Sequence, residues 1–167
     1  ATLAVFALPP ASGTARPLPA EPGPCRYIDT ATNVLLIGPP GVGKTHIATG
    51  LGNAAVTASY RTYFTSAADH AARCHRAAIE GKWATMMRFY AGPTLLIIDE
   101  LGYVALDTQA SNLFFQVISA RHDAELGTIA TTNLPFGQFN QIFANDAIAH
   151  AIVDRLVNEA EVFNMEG

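Results

Sequence analysis

Val34-Leu35-Leu36-Ile37-Gly38-Pro39-Pro40-Gly41-Val42-Gly43-Lys44-Thr45-His46 is the stretch on which the reading of this chain turns. Its four leading apolar residues are strand-sized and leave no polar face, as a parallel strand buried on both sides requires. They run straight into the pattern Gly-x-x-x-x-Gly-Lys-Thr, matched in full from Gly38 to Thr45. Glycines at 38, 41 and 43 allow backbone conformations that turn successive N–H groups inward around phosphates. A helix starting near Gly43 would aim its positive N-terminal end at the same anions. In such a loop Lys44 reaches the β- and γ-phosphates as a point charge, and the Thr45 hydroxyl ligates Mg²⁺. The plain alternative is a chance glycine-rich turn, and the strand before and helix after the motif weigh against it. The expected ligand is a nucleoside triphosphate, ATP with Mg²⁺, held by residues 38–46.

Outward from the loop, apolar runs alternate with helix-length segments, the signature of βαβ units and a parallel sheet. The helix after the loop should turn Ile47, Leu51 and Ala54 or Ala55 inward. Arg61 to Thr65 reads as a second strand, followed by a helix from Ser66 to Glu80. Thr94-Leu95-Leu96-Ile97-Ile98 is a third strand, buried throughout. Leu113, Phe114, Val117 and Ile118 make one helical stripe between Thr108 and His122. Gly127 to Thr131 is a fourth strand, Asp146 to Asn158 a helix, and Glu161 to Met165 a short fifth strand. The expectation is an α/β P-loop domain over residues 26–167: a five-stranded parallel sheet flanked by helices, with no C-terminal lid domain evident. Residues 9–24 hold six prolines among small residues, so residues 1–25 read as a poorly ordered proline-rich segment.

The third strand ends in two carboxylates, Asp99 and Glu100. Charges at the mouth of an apolar strand cost free energy unless they have a partner or a task. Asp99 is placed to hold Mg²⁺ through its water shell, and Glu100 to polarise an attacking water as general base. Asp99-Glu100-Leu101-Gly102 also fits the D-x-x-G spacing of GTPases, but the guanine-reading N-K-x-D run is absent from the sequence. The adjacent Asp-Glu pair favours an ATP-hydrolysing site over a GTPase or a small-molecule kinase.

Three further positions have two readings each. Asn133, after the fourth strand, sits where strand ends converge on a ligand crevice. Its amide suits a γ-phosphate and a water equally as well as a turn before Pro135. Arg155 fits an arginine supplied to a neighbour's phosphates. By spacing alone, a helix-surface arginine paired with Glu159 is the better reading. His70, Cys74 and His75 suggest a metal, yet no second ligand pair stands at zinc spacing, which leaves a helix-surface cluster.

Bulk composition narrows the classes. The 167 residues fit one domain, and half hydrophobic with 14% charged suits a folded chain. A formal charge of -4 advertises neither nucleic acid nor membrane, although a local basic patch can still bind DNA. Two cysteines make no disulfide framework, and no apolar run approaches bilayer length. A cytoplasmic protein is the expectation.

Taken in order, these motifs resemble the IstB-like ATP-binding proteins, helper ATPases of insertion-sequence transposons within the AAA+ superfamily, related to bacterial replicative helicase loaders. The resemblance rests on Asn33 to His46, Tyr60-Arg61 to Phe64-Thr65, Leu96-Ile97-Ile98-Asp99-Glu100-Leu101-Gly102-Tyr103, Thr131-Thr132-Asn133-Leu134-Pro135-Phe136 and Asp154-Arg155-Leu156. It implies a sensor role for Asn133 and an arginine-finger role for Arg155. It also implies a homo-oligomer on DNA that shares its ATP sites and activates a transposase. Residues 1–25 differ from the family's N-terminal helical region, and the sequence stops short of the family's usual ending. The alternatives are therefore a helicase-loader-like ATPase or a nucleotide-binding remnant without turnover.

Overall fold

The computed structural model describes residues 25–158 and 160–166. Residues 1–24 of the proline-rich segment and Glu159, the surface partner suggested for Arg155, lie outside the described residues. The elements in chain order are α1 (Arg26–Asp29), β1 (Asn33–Ile37), α2 (Lys44–Thr57), β2 (Thr62–Ser66), α3 (Ala67–Glu80) and α4 (Trp83–Ala91). They continue with β3 (Leu95–Leu101), α5 (Thr108–Asp123), β4 (Gly127–Thr132), a 3-10 turn (Phe136–Gln141), α6 (Asp146–Val157) and β5 (Ala160–Asn164). All five strands lie in one sheet in the order β2-β3-β4-β1-β5, and every neighbouring pair is parallel.

Alternation along the central strands divides the core into two layers. Leu35, Leu96, Ile98 and Ala130 face α3, α4, α5 and α6, joining Cys74, Tyr90, Leu113, Phe114, Ile152 and Leu156. Val34, Leu36, Leu95, Ile97 and Ile129 face the other way, against α2 and the short α1. Strands covered on both sides lack a polar face, which is why β1 after Asn33, and β3 as far as Asp99, are apolar without interruption. Side-chain caps start three of the helices: Ser66 accepts from the Asp69 N–H, Asp107 from that of Ala110, and Asn145 from that of Ile148.

Some details differ from the sequence reading. Ala48, Leu51 and Ala55 carry the inner face of α2, while Ile47 and Ala54 are half-buried at its margin. The reading assigns no element to residues 81–93, where α4 lies. Trp83, Met86, Met87 and Tyr90 have helical spacing, and Tyr90 is buried while the other three pack partly buried against it.

His70 and Cys74 are not a surface cluster. Both are buried, and only His75 of the trio is exposed. The His70 Nε2 lies 3.1 Å from the Ala110 carbonyl, which can only accept, so the ring is protonated on that nitrogen. Its edge contacts with Tyr90 and Phe114 explain why burial pushes its pKa below the ordinary histidine value, with the carbonyl bond acting the other way. Among the described residues no group of His, Cys, Asp or Glu is arranged to hold a metal ion.

Among the described residues the largest fully buried side chain is Arg121, near the end of α5. Its guanidinium donates to the Thr128 hydroxyl and to the carbonyls of Tyr90, Pro93, Thr94 and Gly127. Burial pushes its pKa down to about 10. One planar fork thus ties the end of α4 to the start of β3 and β4, using all five of its N–H groups' geometry. Arg121→Met would keep the volume and strand the acceptors. It is expected to lose about 3 kcal/mol of unfolding free energy, read as a lower urea midpoint at unchanged slope.

Candidate functional site

In a parallel sheet the carboxyl ends of the strands share one edge. Here β4 lies between β1 and β3, so the glycine loop after β1 and the two carboxylates of β3 flank the end of β4. Gly38 is buried beneath the loop, and its N–H donates to the Thr132 carbonyl at 3.1 Å. Pro39, Pro40 and Gly41 are exposed, with Val42 half-buried. Gly41 and Gly43 take φ of 83° and 95°, left-handed conformations that let the loop curl before α2 begins. Gly43 is the N-cap of α2 and, having no side chain, makes no side-chain cap to the first-turn N–H groups. His46 is exposed in that first turn.

Lys44 is buried, and its ammonium donates to the carbonyls of Gly38 at 2.6 Å and Pro39 at 2.7 Å. Burial pushes its pKa below the usual lysine value, while the negative charge of Asp99 works in the opposite direction. The Thr45 hydroxyl donates to both oxygens of Asp99, at 3.1 and 3.0 Å. Asp99 itself is only 5% exposed. Glu100, next along the chain, is exposed and takes φ of 58°. A neighbouring pair of carboxylates is thereby split, one turned into the sheet edge and the other out over it.

Asn133 stands one residue past the end of β4, half-buried, and its Oδ1 is a buried oxygen with no hydrogen-bond partner. That oxygen is 2.7 Å from where a Cβ on Gly102 would stand. Gly102 also has φ of 104°, so both space and conformation require glycine there. Lys44, Thr45, Asp99, Glu100 and Asn133 are thus brought together at one edge of the sheet.

Arg155 is not with them. Asn33, the first residue of β1, donates its side-chain amide to the Leu156 carbonyl, so Arg155 lies beside the amino ends of the strands. A five-residue strand places that end about 15 Å from the loop. Its guanidinium stands 4.9 Å over the Phe115 ring and donates to the Ala151 carbonyl at 3.3 Å. Sequence reasoning missed Thr131, whose hydroxyl donates to Asp99 and accepts from the Glu100 N–H. The signal available was a threonine two positions before Asn133, which nothing local distinguishes from an ordinary strand residue.

The model of the family described as IstB-like ATP binding protein matches residues 13–167. The chain belongs to that family. It is 40% identical over 141 residues to a protein named for ATP binding in insertion sequence IS5376 of Geobacillus stearothermophilus, covering 84% of this chain and 56% of that protein. It is 33% identical to a protein named likewise for insertion sequence IS21 of Pseudomonas aeruginosa, covering 84% and 53%. The chain therefore spans about half the length of these relatives. Among solved structures it is similar to the DnaC helicase loader, with a TM-score of 0.72 at 21% identity over 85% of each chain. AMPPCP-bound DnaA from Aquifex aeolicus gives 0.73 at 19% identity, over 86% of this chain and 44% of that one. At those identities the likeness is one of fold alone, a parallel sheet flanked by helices with the glycine loop after its first strand. Among the described residues no helix is long and apolar enough to cross a membrane.

Gly102→Ala should strain the backbone and press on Asn133. The expected loss is about 1–2 kcal/mol of stability by urea denaturation. Gly137→Ala, at a position with open space and ordinary φ, should stay within about 0.5 kcal/mol of the unaltered chain.

Proposed function

We propose that this IstB-like chain binds ATP with Mg²⁺ and hydrolyses it, as a helper of DNA transposition that assembles on DNA and activates a transposase. The observation that carries the ATPase reading is the Thr45 hydroxyl against both oxygens of the Asp99 carboxylate, with Glu100 turned outward beside them. A hydroxyl on the helix that follows a glycine loop and a strand-end carboxylate are the oxygen donors a Mg²⁺–triphosphate complex uses. Thr45 and Asp99 would hold the ion, Thr45 directly and Asp99 through water. When bound, it would neutralise charge on the phosphate oxygens.

The chain's own groups supply the rest. The left-handed glycines and the start of α2, where the N-cap is a glycine, direct N–H groups at the phosphates. Lys44, which satisfies its ammonium on the loop carbonyls, exchanges these for phosphate oxygens. Glu100 takes the proton of the attacking water. Asn133, one residue past the end of β4, offers its side-chain amide to the γ-phosphate and the attacking water. Arg155 lies at the opposite end of its own sheet, and this supports its acting on a neighbour's ATP, in a homo-oligomer where each site spans two copies. The insertion-sequence relatives support the transposition setting, a DNA substrate and a transposase partner.

Glu100→Gln is expected to lower ATP turnover at least about 100-fold while a fluorescent ATP analogue still binds. Loss of binding together with turnover would contradict the role given to Glu100. Lys44→Ala should abolish binding of the same analogue. Arg155→Ala and Glu100→Gln, each inactive alone, should regain DNA-stimulated hydrolysis when mixed, because mixed neighbours rebuild complete sites. Mixtures as inactive as their parts would leave each site within one chain.

A further inference from the structure

The ladder between β3 and β4 is interrupted once, and the interruption falls on the site. Ile98 stands opposite Ala130 and Leu101 opposite Thr132, so Asp99 and Glu100 together face the single residue Thr131. Such a bulge bends its strand and leaves one residue outside the regular pairing. Glu100 is the residue with the left-handed backbone, φ 58°, which costs a non-glycine residue on the order of 1 kcal/mol or more. Its N–H donates to the Thr131 hydroxyl at 2.9 Å, and the hydroxyl's own proton goes to Asp99 Oδ1. Thr131 is 1% exposed, so its hydroxyl is closed to bulk solvent. A hydroxyl has one proton to give, and here accepting from Glu100 fixes the direction in which that proton is given.

Resting on the ATPase reading above, we propose that Thr131 is a positioning residue for that reaction. Its hydroxyl holds the bulge that separates the two carboxylates, keeping Asp99 inward for the metal and Glu100 outward for water. It acts through both of them and touches neither nucleotide nor water itself. Serine retains this function; valine, of the same shape, removes it. Residues behind a metal site typically contribute 10- to 100-fold to activity, and that is the scale expected.

The test compares Thr131→Val and Thr131→Ser in the full chain by three measurements. Steady-state hydrolysis of Mg²⁺–ATP should show kcat lowered about 10- to 100-fold in Thr131→Val with KM within about threefold, and near-normal kcat in Thr131→Ser. Affinity for a fluorescent ATP analogue should be unchanged without Mg²⁺, and the gain on adding Mg²⁺ should shrink in Thr131→Val alone. Hydrogen exchange of the Glu100 amide, measured without nucleotide, should quicken at least about tenfold in Thr131→Val and stay protected in Thr131→Ser. Unaltered kcat in Thr131→Val overturns the proposal, as does an equal loss in both variants, which would mark a packing role. If the unaltered chain binds no nucleotide, the ATPase reading fails with this consequence of it. The amide exchange still decides, separately, whether Thr131 holds the bulge.

Discussion

A carboxylate that is 5% exposed must receive protein hydrogen bonds or draw a cation, since leaving it bare in a low-dielectric edge costs several kcal/mol. Asp99 is that group, and the way it is satisfied organises the site around it. The Thr45 hydroxyl comes to it from the helix after β1, and the Thr131 hydroxyl comes from β4. Three parts of the chain separated by tens of residues are thereby locked at one point. Strand spacing gives this meaning: with β4 between them, β1 and β3 stand about 10 Å apart. That gap is wide enough to admit a ligand between the loop and the carboxylates, and narrow enough for a threonine to bridge.

Among the described residues, non-glycine positions with positive φ are Ala31, Ser59, Glu100 and Glu125, and of these Glu100 lies at the same edge. Glu100 and Gly102 both have positive φ, and the unpartnered Asn133 oxygen lies against Gly102. Among the described residues the buried hydroxyls of Tyr27, Tyr90 and Ser119 also lack a partner, whereas Arg121 and His70 are satisfied by carbonyls. A left-handed non-glycine residue and an unpartnered amide oxygen, both at the edge where a reaction is proposed, fit the view that local conflict is tolerated at functional positions.

Much of the fold was legible because its signals are local. Strand apolarity without a polar face, the helical stripe of Leu113, Phe114, Val117 and Ile118, and the glycine loop each depend on neighbours within a few residues. The second helix of the β2–β3 crossover, α4, was missed although Trp83, Met86, Met87 and Tyr90 carry its period, because a nine-residue helix offers few repeats to read. His70 and Cys74 were misjudged for a related reason. A histidine on a helix face looks polar in sequence, and only the aromatic rings of Tyr90 and Phe114, from two other helices, make its position core.

The sequence by itself determined which chemical groups the site has: the loop from Gly38 to Thr45, the carboxylates Asp99 and Glu100, and Asn133 at a strand end. Backbone propensity and motif spacing are properties of contiguous residues, so they survive being read in one dimension. The tertiary structure alone decided that β4 separates β1 from β3 and that Thr131 sits in the resulting register break. It also decided that Arg121 knots three elements and that Arg155 faces away from its own loop. Those facts rest on strand order and on hydrogen bonds between residues far apart in the chain, and spacing in sequence carries no record of them.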